Sequence, residues 1–231
     1  MLRVGLTGGL GSGKSTAARL FAAQGAHVLQ SDAIGRELME SGQAVYTEIV
    51  DHFGNSVVLP DGRLDRAALA KIAFAEGRVE ELNAIVHPAV IARQAELSDA
   101  IFRCDPQAVV IVESALIFET KYGETKYGAA QDSGARPWHS RFDKIILVTA
   151  PDEVKIARFI ARSTAGSVLT EDRRAELEAE ARRRMAQQIP DEQKSAFCDY
   201  VMTNGGPLTE LEWQVDQLWP LLKVASESSS T

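Results

Sequence analysis

The stretch Gly8-Gly9-Leu10-Gly11-Ser12-Gly13-Lys14-Ser15 decides the fold. It fits the pattern G-x-x-x-x-G-K-[ST], a glycine-rich turn whose backbone amides wrap phosphate oxygens. Residues without a Cβ let N–H groups turn inward and approach an anion closely. A helix starting near Gly13 adds its unpaired N–H groups and the positive end of its dipole. Lys14 is placed to reach outer phosphates, and the Ser15 hydroxyl to complete a magnesium shell. Read without its surroundings, the same stretch is a glycine-rich turn with no ligand.

The surroundings favour the phosphate reading. Leu2, Val4 and Leu6 alternate with Arg3 and Gly5, the period of a strand running into the glycines. Ala17, Leu20 and Phe21 then recur at helical spacing, and Gly25 closes that helix. Further along, Ala26–Leu29, Val109–Val112, Ile145–Val148 and the weaker Tyr200–Met202 read as short strands, the middle two with the β-branched content of buried parallel strands. Helical patterns lie between them at Asp65–Ala75, Ala89–Ala100 and Glu171–Gln188. Pro88 is expected in the first turn of the second of these. Thr170 is the expected cap of the third, and Glu178–Arg182 and Glu180–Arg184 have the i,i+4 spacing of supporting ion pairs. Strands alternating with helices imply an α/β fold, a parallel five-stranded sheet covered on both faces.

Composition bounds the rest. The 231 residues suit one domain, and a chain of that length buries roughly 70 to 75% of its unfolded surface. Lys and Arg number 25 against 32 Asp and Glu, a net charge of −7. A balance that acidic argues against a general nucleic-acid or anionic-membrane binder. Cys104 and Cys198 have no metal-ligand spacing, so a reduced, cytoplasmic setting is expected, with a disulfide between them left open. No apolar run approaches the length of a membrane span, and MLRVGLTGGLG is too short and glycine-rich for a signal peptide. The tail 225–231 is polar and expected to be disordered. Thr120–Glu124 (TKYGE) is repeated at once as Thr125–Ala129 (TKYGA), and residues 121–140 read as an inserted surface loop with no assigned role.

The glycine motif names a ligand class, not a reaction. No N-K-x-D run specifies guanine, although Asp32-Ala33-Ile34-Gly35 matches the D-x-x-G box of a GTPase. The size suits a phosphotransferase acting on a small acceptor. Asp32 follows the second strand, and carboxyl ends of parallel strands line the ligand crevice. A carboxylate there can take a hydroxyl proton; equally, Ser31 or Asp32 can cap the helix that follows. Arg158 and Arg162, and the run Arg182-Arg183-Arg184, read either as lid cations over transferring phosphates or as solvated helix faces. For Arg182 and Arg183 the solvated face is the better reading. A lone His87 is more often structural than chemical, and the four histidines show no zinc spacing.

With these residues in hand, the chain resembles the dephospho-CoA kinases from about Leu2 to Leu222. Gly5–Thr16 looks like that family's phosphate loop, Val28-Leu29-Gln30-Ser31-Asp32 with Arg36 like its second-strand motif, and Gly62–Arg66 with Leu82–Pro88 like its middle segment. Glu113–Glu119 (ESALIFE), Arg184-Met185-Ala186-Gln187-Gln188 and Asp199–Gly205 look like its later motifs. The resemblance implies a P-loop three-layer sandwich over residues 1–224, with a helical acceptor region at about 60–100 and a small lid at about 158–188. It implies transfer from MgATP to the ribose 3′-hydroxyl of dephospho-CoA by a monomer or weak homo-oligomer. Gly9, Gly11, Ser12, Gly13, Lys14, Ser15 and Thr16 would bind ATP, with Ser15 on Mg2+. Asp32 would be the base, and Lys14, Arg158, Arg162 and Arg184 would neutralise phosphates. Arg36, His87, Leu116 and Glu119 would face the acceptor with Asp32. Two departures stand out: Gln30 where the family often has a second acid, and Ala115-Leu116-Ile117 where it has Pro-Leu-Leu. A kinase for another small hydroxyl acceptor, and a nucleotide-dependent switch without catalysis, are the alternatives.

Overall fold

In the computed structural model the described residues are 1–119, 138–164 and 168–228. The elements in chain order are β1 (Leu2–Thr7), α1 (Lys14–Ala23), β2 (His27–Gln30), α2 (Ser31–Leu38), α3 (Ala44–Phe53), α4 (Arg66–Ala70) and α5 (Val79–Cys104). After them come β3 (Val109–Glu113), α6 (Trp138–Arg141), β4 (Lys144–Thr149), α7 (Asp152–Ser163), α8 (Glu171–Ala186), α9 (Asp191–Ser195), β5 (Tyr200–Thr203) and α10 (Leu208–Ser228). The TKYGE/TKYGA repeat, most of the 121–140 insertion and part of 163–168 lie outside the described residues.

The five strands form one parallel sheet in the order β2-β3-β1-β4-β5. Leu6 pairs with Glu113 on one side of β1 and with Ile146 on the other. Side chains alternate across the central strands, and both faces are covered. Leu2, Val4, Leu6, Ile111 and Val148 pack with Phe21 of α1 and with Leu211, Val215 and Leu222 of α10. On the other face, Val112 and Ile145 pack with Ile117, Phe118 and Phe142, and Val110 with Phe102. This double burial explains the uninterrupted β-branched run of β3.

Local chemistry ends several elements where the sequence expects, and others depart from it. α1 ends with Gly25 at φ 107, the amide of Gly25 donating to Ala22 O at 3.0 Å and that of Ala26 to Phe21 O at 3.0 Å. That paired pattern needs a left-handed residue, which glycine supplies without strain. Thr170 caps α8 by accepting from the Arg173 amide at 3.2 Å, and both expected i,i+4 pairs of that helix form. The first exception is Pro88, which lies inside α5 rather than at a helix start. Proline costs the helix one amide bond and crowds the carbonyl of Ala84, but Ile85 is buried before it and Val90 after it, so packing carries the helix through. The second is the 225–231 tail. α10 continues to Ser228, Ser226 is fully buried, and its carbonyl accepts from the Met1 amino group at 2.8 Å. The third is Asp65–Ala75, which splits into α4 and a wider π-type turn at Lys71–Ala75.

Contacts divide the chain into two units, one of residues 30–100 and the other holding the remainder of the described chain. The helical unit takes in the stretch of about 60–100 together with the residues from 30 onward. Its own core is Val45, Ile49, Phe53, Val57, Leu64, Leu69 and Ile85. Within it the D-x-x-G match dissolves: Gly35 sits inside α2, where a Cβ would lie 3.6 Å from Val90 and 3.9 Å from Val86. A side chain there would meet only ordinary van der Waals contact. Among the described residues no helix is long and apolar enough to cross a membrane.

Candidate active site

The phosphate loop joins β1 to α1, and its glycines are needed for two separate reasons. Gly11 and Gly13 have φ of 71 and 92, conformations that side chains resist. Space is also lacking: a Cβ on Gly11 would strike the Lys155 carbonyl oxygen, and one on Gly13 the Asn204 amide nitrogen. Asn204 Nδ2 donates to Ser12 O at 2.8 Å, and Arg158 Nη1 reaches Gly11 O and Ser12 O at 3.4 and 3.5 Å. Arg158 Nη2 also donates to Asn204 Oδ1 at 3.3 Å. These two side chains pin loop carbonyls on one side. In a trans peptide the following N–H points the opposite way, so pinning the carbonyls orients the amides.

Gly13 is the N-cap residue of α1, and its carbonyl accepts from the Thr16 amide at 2.9 Å. Lys14 and Ser15 are the first two helical residues, where the helix's free N–H groups gather. The Ser15 hydroxyl donates to Glu113 Oε1 at 2.6 Å. Glu113, 8% exposed at the carboxyl end of β3, is a site residue that sequence reasoning missed. Its signal was available: an acid closing an apolar strand of a parallel sheet.

The three arginines expected to act together have different surroundings. Arg158 alone touches the loop. Arg162 is exposed in the last turn of α7. Arg184 is ion-paired with Glu180 and stacks 5.4 Å over the Phe159 ring. Arg182 is exposed and ion-paired with Glu178, as a solvated face implies, and it also borders a cavity of about 630 Å³ lined by Gly9 and Leu10. The cavity touches only that leading edge of the loop, away from Lys14 and Ser15. Lys155 and Asp191 also line it. The Lys155 ammonium donates to Asp191 Oδ2 at 2.6 Å, and the Thr149 hydroxyl to the same oxygen at 2.6 Å. Burial pulls the Lys155 pKa down, but the bonds and charge of Asp191 and Asp152 outweigh it and hold the pKa above the ordinary value.

Leu116 is 38% exposed on the turn after β3. Glu119, at the end of that turn, has a side chain only 9% exposed and is already engaged: Oε1 lies 2.5 Å from Lys194 Nζ and accepts from the Ile189 amide at 3.3 Å. In the helical unit, Asp32 and Arg36 are both exposed, one turn apart on α2, and neither is ion-paired among the described residues. The helix cap is Gln30, not Ser31 or Asp32. Ser31 Oγ instead accepts from Gln94 Nε2 at 2.8 Å. His87 is half-buried within α5.

The sequence model of the dephospho-CoA kinase (CoaE) family matches residues 2–128. Dephospho-CoA kinase from Thermobifida fusca (strain YX) is 36% identical over 96% of this chain and 97% of that protein. The chain belongs to the dephospho-CoA kinase family. A second member, from Geobacter sulfurreducens, is 34% identical over 94% of this chain and 96% of its own. Among solved structures, TT1252 from Thermus thermophilus superposes with a TM-score of 0.69 at 31% identity, covering 96% of this chain and 97% of that one. Dephospho-CoA kinase from Campylobacter jejuni shares the fold, with a TM-score of 0.57 at 19% identity over 95% and 96% of the two chains.

In this family member Cys104 and Cys198 are both free thiols. Cys104 is exposed; Cys198 is half-buried, and burial pushes its thiol up to about 12. Ala115-Leu116-Ile117 keeps its apolar contact despite the missing proline, since Ile117 is 2% exposed in the core of that sheet face. Lys155 and Asp191 are loop neighbours that the sequence reading did not flag, while Gln188 and Asn204 lie in stretches quoted for the family resemblance without a role.

Proposed function

We propose that this chain transfers the terminal phosphoryl group of ATP to the ribose 3′-hydroxyl of dephospho-CoA, giving ADP and coenzyme A. The observation that carries the reading is membership of the kinase family across nearly the whole chain, with the phosphate loop intact. The hydroxyl oxygen attacks the γ-phosphorus, and the bond from that phosphorus to the β–γ bridging oxygen breaks. The hydroxyl proton passes to Asp32, which is exposed and has no ion-pair partner among the described residues.

Phosphoryl transfer depends on alignment and charge neutralisation more than on covalent help. Loop amides of Gly9, Gly11, Ser12, Gly13, Lys14, Ser15 and Thr16, with the Lys14 ammonium, bind the polyphosphate. Arg158 holds the loop and neutralises charge, with Arg162 and Arg184 joining from the lid. Ser15 and Glu113 offer adjacent oxygen donors, which suit a hard divalent cation. Magnesium held there supplies further neutralisation of phosphate charge. Arg36 and His87 bind the acceptor with Leu116, while Glu119 anchors the Leu116 turn through its ion pair with Lys194 and the hydrogen bond it accepts from the Ile189 amide. The free thiols fit a reducing cytoplasm.

The test is an acceptor screen: ADP release with dephospho-CoA, nucleosides and nucleoside monophosphates in parallel, with the product's 3′-phosphate identified by NMR. Strong stimulation by dephospho-CoA alone is expected. Stimulation by a nucleoside or nucleotide instead would make the chain a different small-acceptor kinase. Slow hydrolysis with no acceptor effect would make it a switch.

A further inference from the structure

Leu10 is the loop residue held from two sides. Its side chain packs against the apolar cluster of Ile156, Phe159, Ile160, Leu177 and Ala181, where α7 meets α8. Its backbone N–H donates to Gln188 Oε1 at 3.1 Å. Gln188 lies just past α8, the helix that carries Arg182, Arg183 and Arg184, and its own amide donates back to Met185 O at 3.0 Å. The next residue, Ile189, donates its amide to Glu119, and three positions beyond Gln188 the Asp191 carboxylate takes Lys155 and Thr149. Gln188 is therefore mounted on a segment anchored on both sides of it. Gly9 lies under the same oxygen, where a Cβ would come 3.3 Å from Oε1.

We propose that Gln188 is a positioning residue of the nucleotide site: its carboxamide fixes the leading edge of the phosphate loop through the Leu10 amide and couples that edge to the arginine-bearing helix. The physical reason is preorganisation. A glycine-rich loop has many accessible conformations, and a ligand that must order it binds more weakly than one meeting a loop already held. The Arg158 and Asn204 bonds restrain Gly11 and Ser12 carbonyls; none of them restrains the preceding turn. Gln188 does so, and it is an acceptor matched to an N–H, so only its oxygen end serves.

The inference rests on the nucleotide reading of the loop, so the test measures nucleotide binding without any acceptor. Gln188→Met removes the acceptor at similar volume; Gln188→Glu keeps an acceptor oxygen and adds a negative charge. Titration calorimetry with ADP and with a non-hydrolysable ATP analogue is run at low and high salt, beside thermal melting and amide hydrogen exchange. For Gln188→Met the expected result is a Kd raised about threefold to tenfold for both nucleotides, the span of one ordinary hydrogen bond. Protection of the Leu10 amide falls, the melting temperature holds, and the deficit does not change with salt. Gln188→Glu is expected to keep Leu10 protected and to bind weakly at low salt. Its deficit against the unaltered chain shrinks at high salt, where charge is screened. Nucleotide affinity within twofold of the unaltered chain for Gln188→Met, or a loss matched by a general drop in melting temperature and exchange protection, overturns the proposal. An unaltered chain that binds neither nucleotide overturns the nucleotide reading itself, which the variants alone do not.

Discussion

Lys194 Nζ lies 2.5 Å from Glu119 Oε1, and the two side chains are 0% and 9% exposed. Two charges so far from water hold their place only because each neutralises the other. The pair ties α9 to the turn that carries Leu116, and the Ile189 amide adds a bond to the same carboxylate oxygen. Removing one partner strands the other charge. Glu119→Ala or Lys194→Met is expected to cost about 3–5 kcal/mol of stability, read by urea unfolding. Lys194→Met combined with Glu119→Leu is expected to cost less than the two single changes summed. Additive losses would show that the pair is not coupled.

Gly11→Ala places a side chain at a φ of 71 and against the Lys155 carbonyl. The backbone strain alone is worth about 1–3 kcal/mol, and the collision adds to it. Since the loop lies outside the sheet core, the damage is expected in nucleotide binding more than in folding. Calorimetric ADP titration should show binding weakened at least about tenfold, with the far-ultraviolet circular dichroism spectrum retained.

Asp32→Asn keeps the size of the side chain and removes its basicity. General-base help is typically worth about 10² to 10⁴ in rate, so kcat is expected to fall by that factor while ATP affinity holds. Because neither Asp32 nor its neighbour Ser31 caps α2, the melting temperature should not move. Turnover at the unaltered rate would remove Asp32 from the chemistry.

Glu81 in the helical unit accepts from Arg78 at 2.7 Å and meets His52 Nε2 at 2.5 Å. Arg78 first and His52 second hold its carboxyl at about 2, below the ordinary 4.5. A depressed folded-state value contributes stability above the unfolded value, lost as pH falls through the folded one. The difference in stability between the unaltered chain and Glu81→Gln should therefore be full above about 4.5 and vanish as pH falls towards about 2. The side chain is 40% exposed, so solvent screening keeps the effect small. Acid titration of the urea midpoint for both proteins measures it.

Much of this protein is local, and local patterns are what a sequence states. The phosphate loop, the alternation of β1, the β-branched runs of β3 and β4, the Gly25 stop and the Thr170 cap each follow from residues within a few positions of one another. Pro88 shows the limit. Its local preference favours a helix start, and burial on either side of it overrides that preference. Asp32 shows the same limit from the other side: the local pattern allowed a cap, and the bond between Gln94 and Ser31, 63 positions apart, accompanies a different helix start.

Unaided, the linear order of residues determined the ligand class, because a run of glycines before lysine and serine has few physical uses, and it determined the layered α/β plan, because strand and helix periods alternate. Tertiary structure alone decided which partners complete the site. Ser15 meets Glu113 across 98 positions, Leu10 meets Gln188 across 178, and Ser12 meets Asn204 across 192. Such pairings depend on the order in which parallel strands are laid side by side, which brings their carboxyl ends to one edge, and no short-range pattern encodes that order.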